Sequence, residues 1–501
     1  MRLTREAYLK SKTRALNRIV RSVKKMKSVS TKVKLSNNPV PVPVITLQSS
    51  PADLADSFLA ARGYKTQDGL LLRWYRDEWL LYTGKVFWSL PTNELKADIM
   101  AFLRDTPARP KAKRALVGDV ALNLEGQCRM ASVARLPAKW NGTDGVTQLD
   151  CIVVENGIVD LKVLFKGKRK NTLTAHTPSF VSQVCLPFKF KPKARCPKWE
   201  KFVRQILPDP ESQQLLKEIF GYCLTFDTSQ QKFFMFEGTG GNGKGVVTNV
   251  LTKLLGEANI SNLPLESFGK DHDPVVMLGK LVNITSEVGE LDKVAEGLLK
   301  QFTGEDDMHF NPKFRPPISA KPTARILIST NVRPNFKDRS EGLWRRLIVL
   351  PFTVTIPEAR QNTRLVEDLT QELSGIFNWA VEGAKSLRKR NQFIEPKICR
   401  EAREDFRLES NPARMFLEET YVSVTGLKGE VSKTAVFEEY KSYCDEGGYK
   451  PLSKVNFAKE VFRMFPKVNV ERPRQGESRP RVYRGIVSKE HIENQRPNKA
   501  A

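Results

Sequence analysis

The chain has 501 residues, 40% of them hydrophobic, which is enough to bury a sizeable core and excludes a wholly disordered polypeptide. Lys and Arg number 82 against 56 Asp and Glu, and the net charge of +26 points to a polyanionic partner such as nucleic acid. No apolar run reaches the roughly 18–20 residues of a membrane span, and with 4 His and no C-x-x-C pair among 7 Cys neither a zinc site nor a histidine-based triad is supported.

In chain order, residues 1–50 carry 12 Lys/Arg and a single acid, Glu6, and read as a basic flexible arm ending in a Pro-bearing linker. Asp53–Arg62 reads as a short helix. Leu70–Leu90, rich in Leu, Trp, Tyr and Phe with a Thr83-Gly84 turn, reads as a β-hairpin. Glu94–Arg104 reads as a helix, Cys151–Val154 as a strand, and Asn156-Gly157 as a turn. Residues 162–198 hold 10 Lys/Arg and no acid. Glu211–Leu224 has helical periodicity. Lys232–Glu237, Leu281–Thr285 and Arg325–Ser329 are short apolar runs of the kind buried in a parallel sheet, with helices between them. Residues 230–360 carry 17 Lys/Arg and 15 acids, so the middle is nearly neutral and the positive excess lies on its flanks. Lys433–Glu446 and Ser453–Phe465 read as helices. Val468–Arg472 and Arg481–Ile486 read as two strands around Gln475-Gly476-Glu477. The scattered cysteines read as reduced thiols of a cytosol-like compartment.

The sharpest motif is Gly238-Thr239-Gly240-Gly241-Asn242-Gly243-Lys244, followed by Gly245 and Val246. It fits G-x-x-x-x-G-K between an apolar strand and a helix over Val246–Leu255. Glycines let successive backbone N–H groups turn inward as an anion nest, and the helix N-terminus adds partial positive charge. Lys244 can then reach the β- and γ-phosphates of ATP. The same residues satisfy the dinucleotide pattern G-x-G-x-x-G, but Gly243-Lys244 is foreign to it and Glu257 lies at no strand end. Gly245 stands where a Ser or Thr normally holds Mg²⁺, so water or Thr248 has to take over that task.

A nucleoside triphosphatase also needs an acid at a neighbouring strand end, to hold Mg²⁺ or polarise the attacking water. Glu287 fits, with Glu290 three residues on. Asn331, closing Arg325–Asn331, can orient that water. Arg345 and Arg346, in Gly342–Arg346 before Leu347–Phe352, suit an arginine finger for a neighbouring subunit's site; the sequence does not choose between them. Met308–Arg315 can form a hairpin with Lys313 at its tip, either a phosphate-gripping pore loop or a plain surface hairpin.

These motifs, in this order, resemble those of superfamily 3 helicases, and more narrowly the helicase half of phage, plasmid and poxvirus primase–helicases. The loop GTGGNGKG, the strand LVNITSE, KQFTGEDD, STN and GLWRRLIVLPF carry the resemblance. Upstream it extends through Trp88, Asn156–Leu161, His176-Thr-Pro, Cys196–Trp199 and Gly221–Asp227. It implies an α/β architecture: an AAA+-like P-loop ATPase core on a parallel sheet, preceded by an α+β domain and followed by a small winged-helix domain. The corresponding segments are 1–50 (arm and linker), 51–205, 206–390 and 391–501. It further implies a hexameric ring that moves 3′ to 5′ on DNA, using ATP and Mg²⁺, in a bacterial or virus-infected cytoplasm. The residues ahead of the likeness are too few for a primase, so priming falls to a separate primase or polymerase.

Single- and double-stranded DNA are the expected partners. Lys454, Lys459 and Arg463 recur on one helix, and Arg472, Arg474, Arg479 and Arg481 cluster on the following hairpin, as in a helix that enters a groove while a wing touches backbone. Two other functions fit the same residues: an AAA+ remodeller or loader that hydrolyses ATP without separating strands, and a nucleotide-gated replication initiator.

Overall fold

The computed structural model describes residues 40–140, 145–167, 172–286, 296–313, 315–334, 336, 341–424, 429–471 and 481–494. The basic arm, Glu287, Glu290, Arg472, Arg474, Arg479 and the Gln475–Glu477 turn lie outside the described residues.

The first region opens with helix α1 (Pro51–Ala61), whose N-terminus is closed by a capping box between Ser50 and Asp53. An antiparallel meander follows: β1 (Leu72–Tyr75), β2 (Glu78–Tyr82) and β3 (Phe87–Leu90). The expected hairpin is thus three strands. Its extra turn is made by Arg76 and Asp77, both at positive φ (51° and 57°), a backbone usually marked by Asn-Gly and therefore silent in this sequence. Helices α2 (Thr92–Arg104) and α3 (Arg114–Gln127) pack with α1 around Phe58, Trp79 and Leu124. A second hairpin, β4 (Cys151–Val154) and β5 (Gly157–Asp160), turns at Glu155-Asn156, one residue earlier than the expected Asn156-Gly157, because Gly157 already pairs with Val154. Helices α4 (Pro197–Ile206) and α5 (Pro210–Cys223) follow; Asp209 caps α5 by accepting from the Glu211 and Ser212 amides.

The central sheet is built from β6 (Phe233–Glu237), β7 (Ile260–Ser261), β8 (Val282–Ser286), β11 (Arg325–Thr330) and β12 (Leu347–Pro351). Its spatial order is β7-β8-β11-β6-β12, and every pair is parallel. Phe233, Phe234, Met235 and Phe236 are fully buried, because β6 has neighbours on both edges and packed layers on both faces. Each such side chain contributes roughly 1.5–3 kcal/mol of burial. Helix α6 (Lys244–Leu255) runs back along one face; the helix expected from Val246 starts two residues earlier. Between β8 and β11 a small hairpin pairs β9 (Met308–Phe310) with β10 (Ile318–Ala320). The expected Met308–Arg315 hairpin is therefore longer than predicted, with its second strand beyond Arg315. Lys313 is exposed in the connection, and Arg315 reaches Glu78 of β2 at 3.6 Å.

Helix α7 (Leu373–Arg390) packs along α5 at very close range: a Cβ on Gly221 or Gly383 would lie 2.4 or 2.1 Å from a backbone oxygen of the other helix. One hydrophobic cluster runs from Ile152 to Cys399, so the β4–β5 hairpin and the central sheet share a core. Helix α8 (Lys397–Glu409) leads to the C-terminal cluster. There α9 (Pro412–Thr420), β13 (Glu430–Ser432), α10 (Lys433–Glu446), α11 (Lys454–Met464), β14 (Asn469–Glu471) and β15 (Val482–Arg484) enclose Phe416, Tyr440, Phe457 and Tyr483. Its sheet has the order β13-β15-β14, antiparallel throughout. The two helices and the two strands expected here are present; α9 and β13 are additions.

Candidate nucleotide and nucleic-acid sites

The glycine-rich loop leaves the C-terminal end of β6. Three of its glycines take positive φ: Gly240 (109°), Gly241 (60°) and Gly243 (86°). Gly238 needs its missing side chain for a different reason, since a Cβ there would lie 2.6 Å from the Phe352 carbonyl. The loop is tied to the segment after β12, with the Ile356 amide donating to the Gly241 carbonyl (2.9 Å) and the Asn242 side-chain amide donating to the Phe352 carbonyl (3.3 Å).

Lys244 is nearly buried. Its Nζ donates to the Gly238 carbonyl (2.7 Å), to Asn242 Oδ1 (3.1 Å) and to Asn331 Oδ1 (3.0 Å). Burial holds this ammonium below its usual pKa, and Glu237 pulls the other way. Strand order brings Asn331 here. β11 lies between β6 and β8, with Thr330 opposite Glu237 and Ser329 opposite Ser286. Three strand ends therefore converge beside the loop, and the residue after Ser286 is Glu287.

A cleft of about 930 Å³ opens from this edge. Gly240–Val246, Ser286 and Asn331 line it together with the apolar side chains of Ile356, Leu365 and Leu369. Helix α4 adds a wall of Lys198, Lys201, Phe202 and Gln205. Sequence reasoning missed this wall. It comes from a helix about forty positions upstream, and no local pattern marks it as part of a site. Thr248 lines the cleft, but its hydroxyl donates to the Lys244 and Gly245 carbonyls of its own helix (3.2 and 3.1 Å), which argues against the metal task considered for it. No group of three or more His, Cys, Asp or Glu side chains able to hold a metal occurs among the described residues.

A second missed residue is Arg333. It grips Glu237, the residue before the loop, through Nε (2.7 Å) and Nη2 (3.2 Å), and meets Glu409 at the end of α8 (2.8 Å). Such bidentate pairing fixes geometry as well as charge. Arg345 and Arg346 lie at the opposite edge of the sheet. They precede Leu347, which pairs with Phe233 at the start of β6, about 13 Å of strand away from the loop. Neither lines the cleft. Arg345 is exposed, and its side chain has no hydrogen bond or ion pair among the described residues; Arg346 donates to the Gly342 carbonyl (2.6 Å). Burial and the neighbouring Arg345 lower the Arg346 pKa, with Asp306 opposing.

In the C-terminal cluster, α11 presents Lys454, Val455, Asn456, Lys459, Phe462 and Arg463 outward. Arg463 is the least available of these, since it pairs with Glu460 (2.5 Å). Lys433, missed in the sequence, stands near both Lys454 and the expected hairpin cation Arg481. Lys433 donates its backbone amide to the Arg481 carbonyl, and both Arg481 and Lys454 push the Lys433 pKa down, after burial as the larger cause.

Three family models match segments of the chain. Residues 70–208 match one described as D5 N terminal like, residues 236–346 a family of unknown function (DUF5906), and residues 410–490 the RFX DNA-binding domain. A protein of Acanthamoeba polyphaga mimivirus named as a helicase is 23% identical over 266 residues, covering 48% of this chain and 28% of that protein. A protein of Frog virus 3 (isolate Goorha), also named as a helicase, is 23% identical over 246 residues, covering 44% of this chain and 25% of that one. The chain resembles viral helicases of the primase–helicase type. It spans little more than a quarter of the length of these viral relatives. Among solved structures, the apo C-terminal region of NrS-1 aligns with a TM-score of 0.48 at 12% identity, over 83% of this chain and 95% of that one. No helix among the described residues is long and apolar enough to cross a membrane.

Proposed function

We propose that the chain is an ATP-dependent DNA helicase of superfamily 3, serving replication of a virus or mobile element. One observation carries the reading: the loop lysine and the strand-end amide, 87 positions apart in sequence, meet at 3.0 Å at the C-terminal edge of the parallel sheet. In this reading a phosphate-binding cation and a water-orienting group share the same few ångströms of space. The cleft lining mixes polar loop groups with apolar side chains, as a nucleoside triphosphate requires, and the loop glycines carry no side chain over their backbone N–H groups. Lys244 then binds the β- and γ-phosphates, Asn331 orients water, and Glu287, following Ser286, supplies the acid. Mg²⁺ would be held by Glu287 and Ser286 as the protein groups, and when bound it would neutralise phosphate charge.

Arg345 and Arg346 cannot serve their own chain's cleft from the opposite edge of the sheet. This favours a ring, in our reading a hexamer, in which an arginine of one subunit completes the next subunit's site. The C-terminal cluster is read as a winged helix with α11 toward duplex DNA, supported by its helix and strand order and by the match to a DNA-binding family model. Movement 3′ to 5′ and a bacterial or infected-cell cytoplasm complete the proposal.

The test is displacement of a labelled strand from forked DNA with ATP and Mg²⁺. The wild-type chain displaces the strand and Lys244→Ala does not. ATP hydrolysis without displacement in a fully assembled ring would instead establish a remodeller or loader.

A further inference from the structure

Within the basic run at 162–198, Lys198 lines the cleft, whereas Phe188–Arg195 contributes nothing to it and is braced along its backbone. Side chains alternate along it. Phe188 and Phe190 turn inward and pack on Phe377 of α7 (5.3 and 5.6 Å between ring centroids), while Lys189 and Lys191 point outward. The Asn156 side chain clamps the Phe190 backbone on both sides, accepting from its amide (2.8 Å) and donating to its carbonyl (3.1 Å). On α7, Ser374 Oγ accepts from the Lys191 amide (2.9 Å), and Asn378 donates to the Lys191 and Ala194 carbonyls (3.0 and 2.9 Å). At Gly375 the helix approaches so closely that a Cβ would lie 2.2 Å from the Arg195 carbonyl oxygen. Lys189, Lys191, Lys193 and Arg195 are all exposed, and none forms an ion pair among the described residues.

Like charges on a rigid backbone cannot relax apart by loop motion. A fixed row of four cations gains nothing for folding, but it binds a polyanion without first paying to order itself. We propose that Lys189, Lys191, Lys193 and Arg195 form a preformed ridge that takes the phosphodiester backbone of the nucleic acid, outside both the ATP cleft and α11. The inference deepens the helicase reading and depends on it only for the identity of the polyanion.

The test is the salt dependence of DNA binding by the full chain, measured by fluorescence anisotropy on a single strand and on a blunt duplex without ATP. The ridge variant is K189Q/K191Q/K193Q/R195Q. A control, K65Q/K96Q/K113Q/R114Q, removes the same charge from exposed positions elsewhere. Each lost phosphate contact flattens the plot of log affinity against log salt by about 0.7 for a single strand and about 0.9 for a duplex, so the ridge variant is expected to lose a slope of about 2.8 if it holds a single strand or about 3.6 if it holds a duplex. The form affected identifies which backbone lies on the ridge. Slopes unchanged on both forms, or flattened equally by the control, overturn the proposal. Because no ATP is present, a chain that binds this way but never displaces a strand would sink the helicase reading and leave the ridge standing.

Discussion

Gly243 combines two demands that only glycine meets: a φ of 86° and a Cβ direction aimed at Ile206 of α4, 2.8 Å from its Cγ2. Replacing it by Ala therefore strains the backbone and pushes α4 off the loop. We expect Gly243→Ala to cost about 1–2 kcal/mol from the backbone alone, seen as a lower urea midpoint, and to weaken ATP binding as well. Gly240 and Gly245, where a Cβ meets nothing within 4 Å, are the comparison; Gly245→Ala leaves the midpoint unchanged. The thiols offer a second test. Burial raises Cys151 and Cys185 to about 11, and Cys128, Cys196, Cys223 and Cys399 to about 12. A raised thiol pKa means little thiolate near neutrality, so maleimide at pH 7.5 should label the native chain slowly and the urea-unfolded chain fast, read by intact mass. Rapid labelling of native Cys223 would show that the core opens. The loop glycines, Lys244 and Asn331 were legible in the sequence because each sits at a fixed offset from an apolar strand. Arg333 was not, because its partners Glu237 and Glu409 lie 96 and 76 positions away and become neighbours only when β6, β11 and α8 are packed.

Among the elements, the strands that announced themselves are those buried on both faces, where an unbroken apolar run is the physical requirement. The elements that stayed hidden are amphipathic or short: α8, whose apolar positions are sparse among charges, and β13, three residues long. Helix α4 was visible as a motif, but its role as a cleft wall was not. The Arg333 pairs join three of these elements, and their two arms are expected to differ. Glu409 is more than half exposed, so Glu409→Gln should cost no more than about 1 kcal/mol. Arg333→Ala leaves the part-buried Glu237 without its bidentate partner beside the loop and should cost about 1–3 kcal/mol, with a larger fall in ATP hydrolysis than in folding stability. Parallel urea titrations and steady-state hydrolysis decide this; equal effects for the two variants would reduce Arg333 to a surface tie.

At the scale of the whole molecule, a nearly neutral middle stands between basic flanks, and the described flanks use their charge differently. The ridge before α4 holds its cations on a braced backbone, whereas the cations of the C-terminal cluster gather around the ends of α10 and α11. Composition already pointed to a polyanion; it said nothing of this division, which depends on what each segment is anchored to. The placement of the loop and of the paired arginines on opposite edges of one sheet has a further result. In the proposed ring, a subunit with Lys244→Ala still offers intact arginines, and one with Arg345→Ala and Arg346→Ala still offers an intact loop. Each preparation alone is dead, but co-assembled they rebuild a minority of complete junctions, each from two differently damaged chains. Hydrolysis reappearing on mixing, and rising to a maximum near equal proportions, is the signature of a machine whose working unit is the seam between chains.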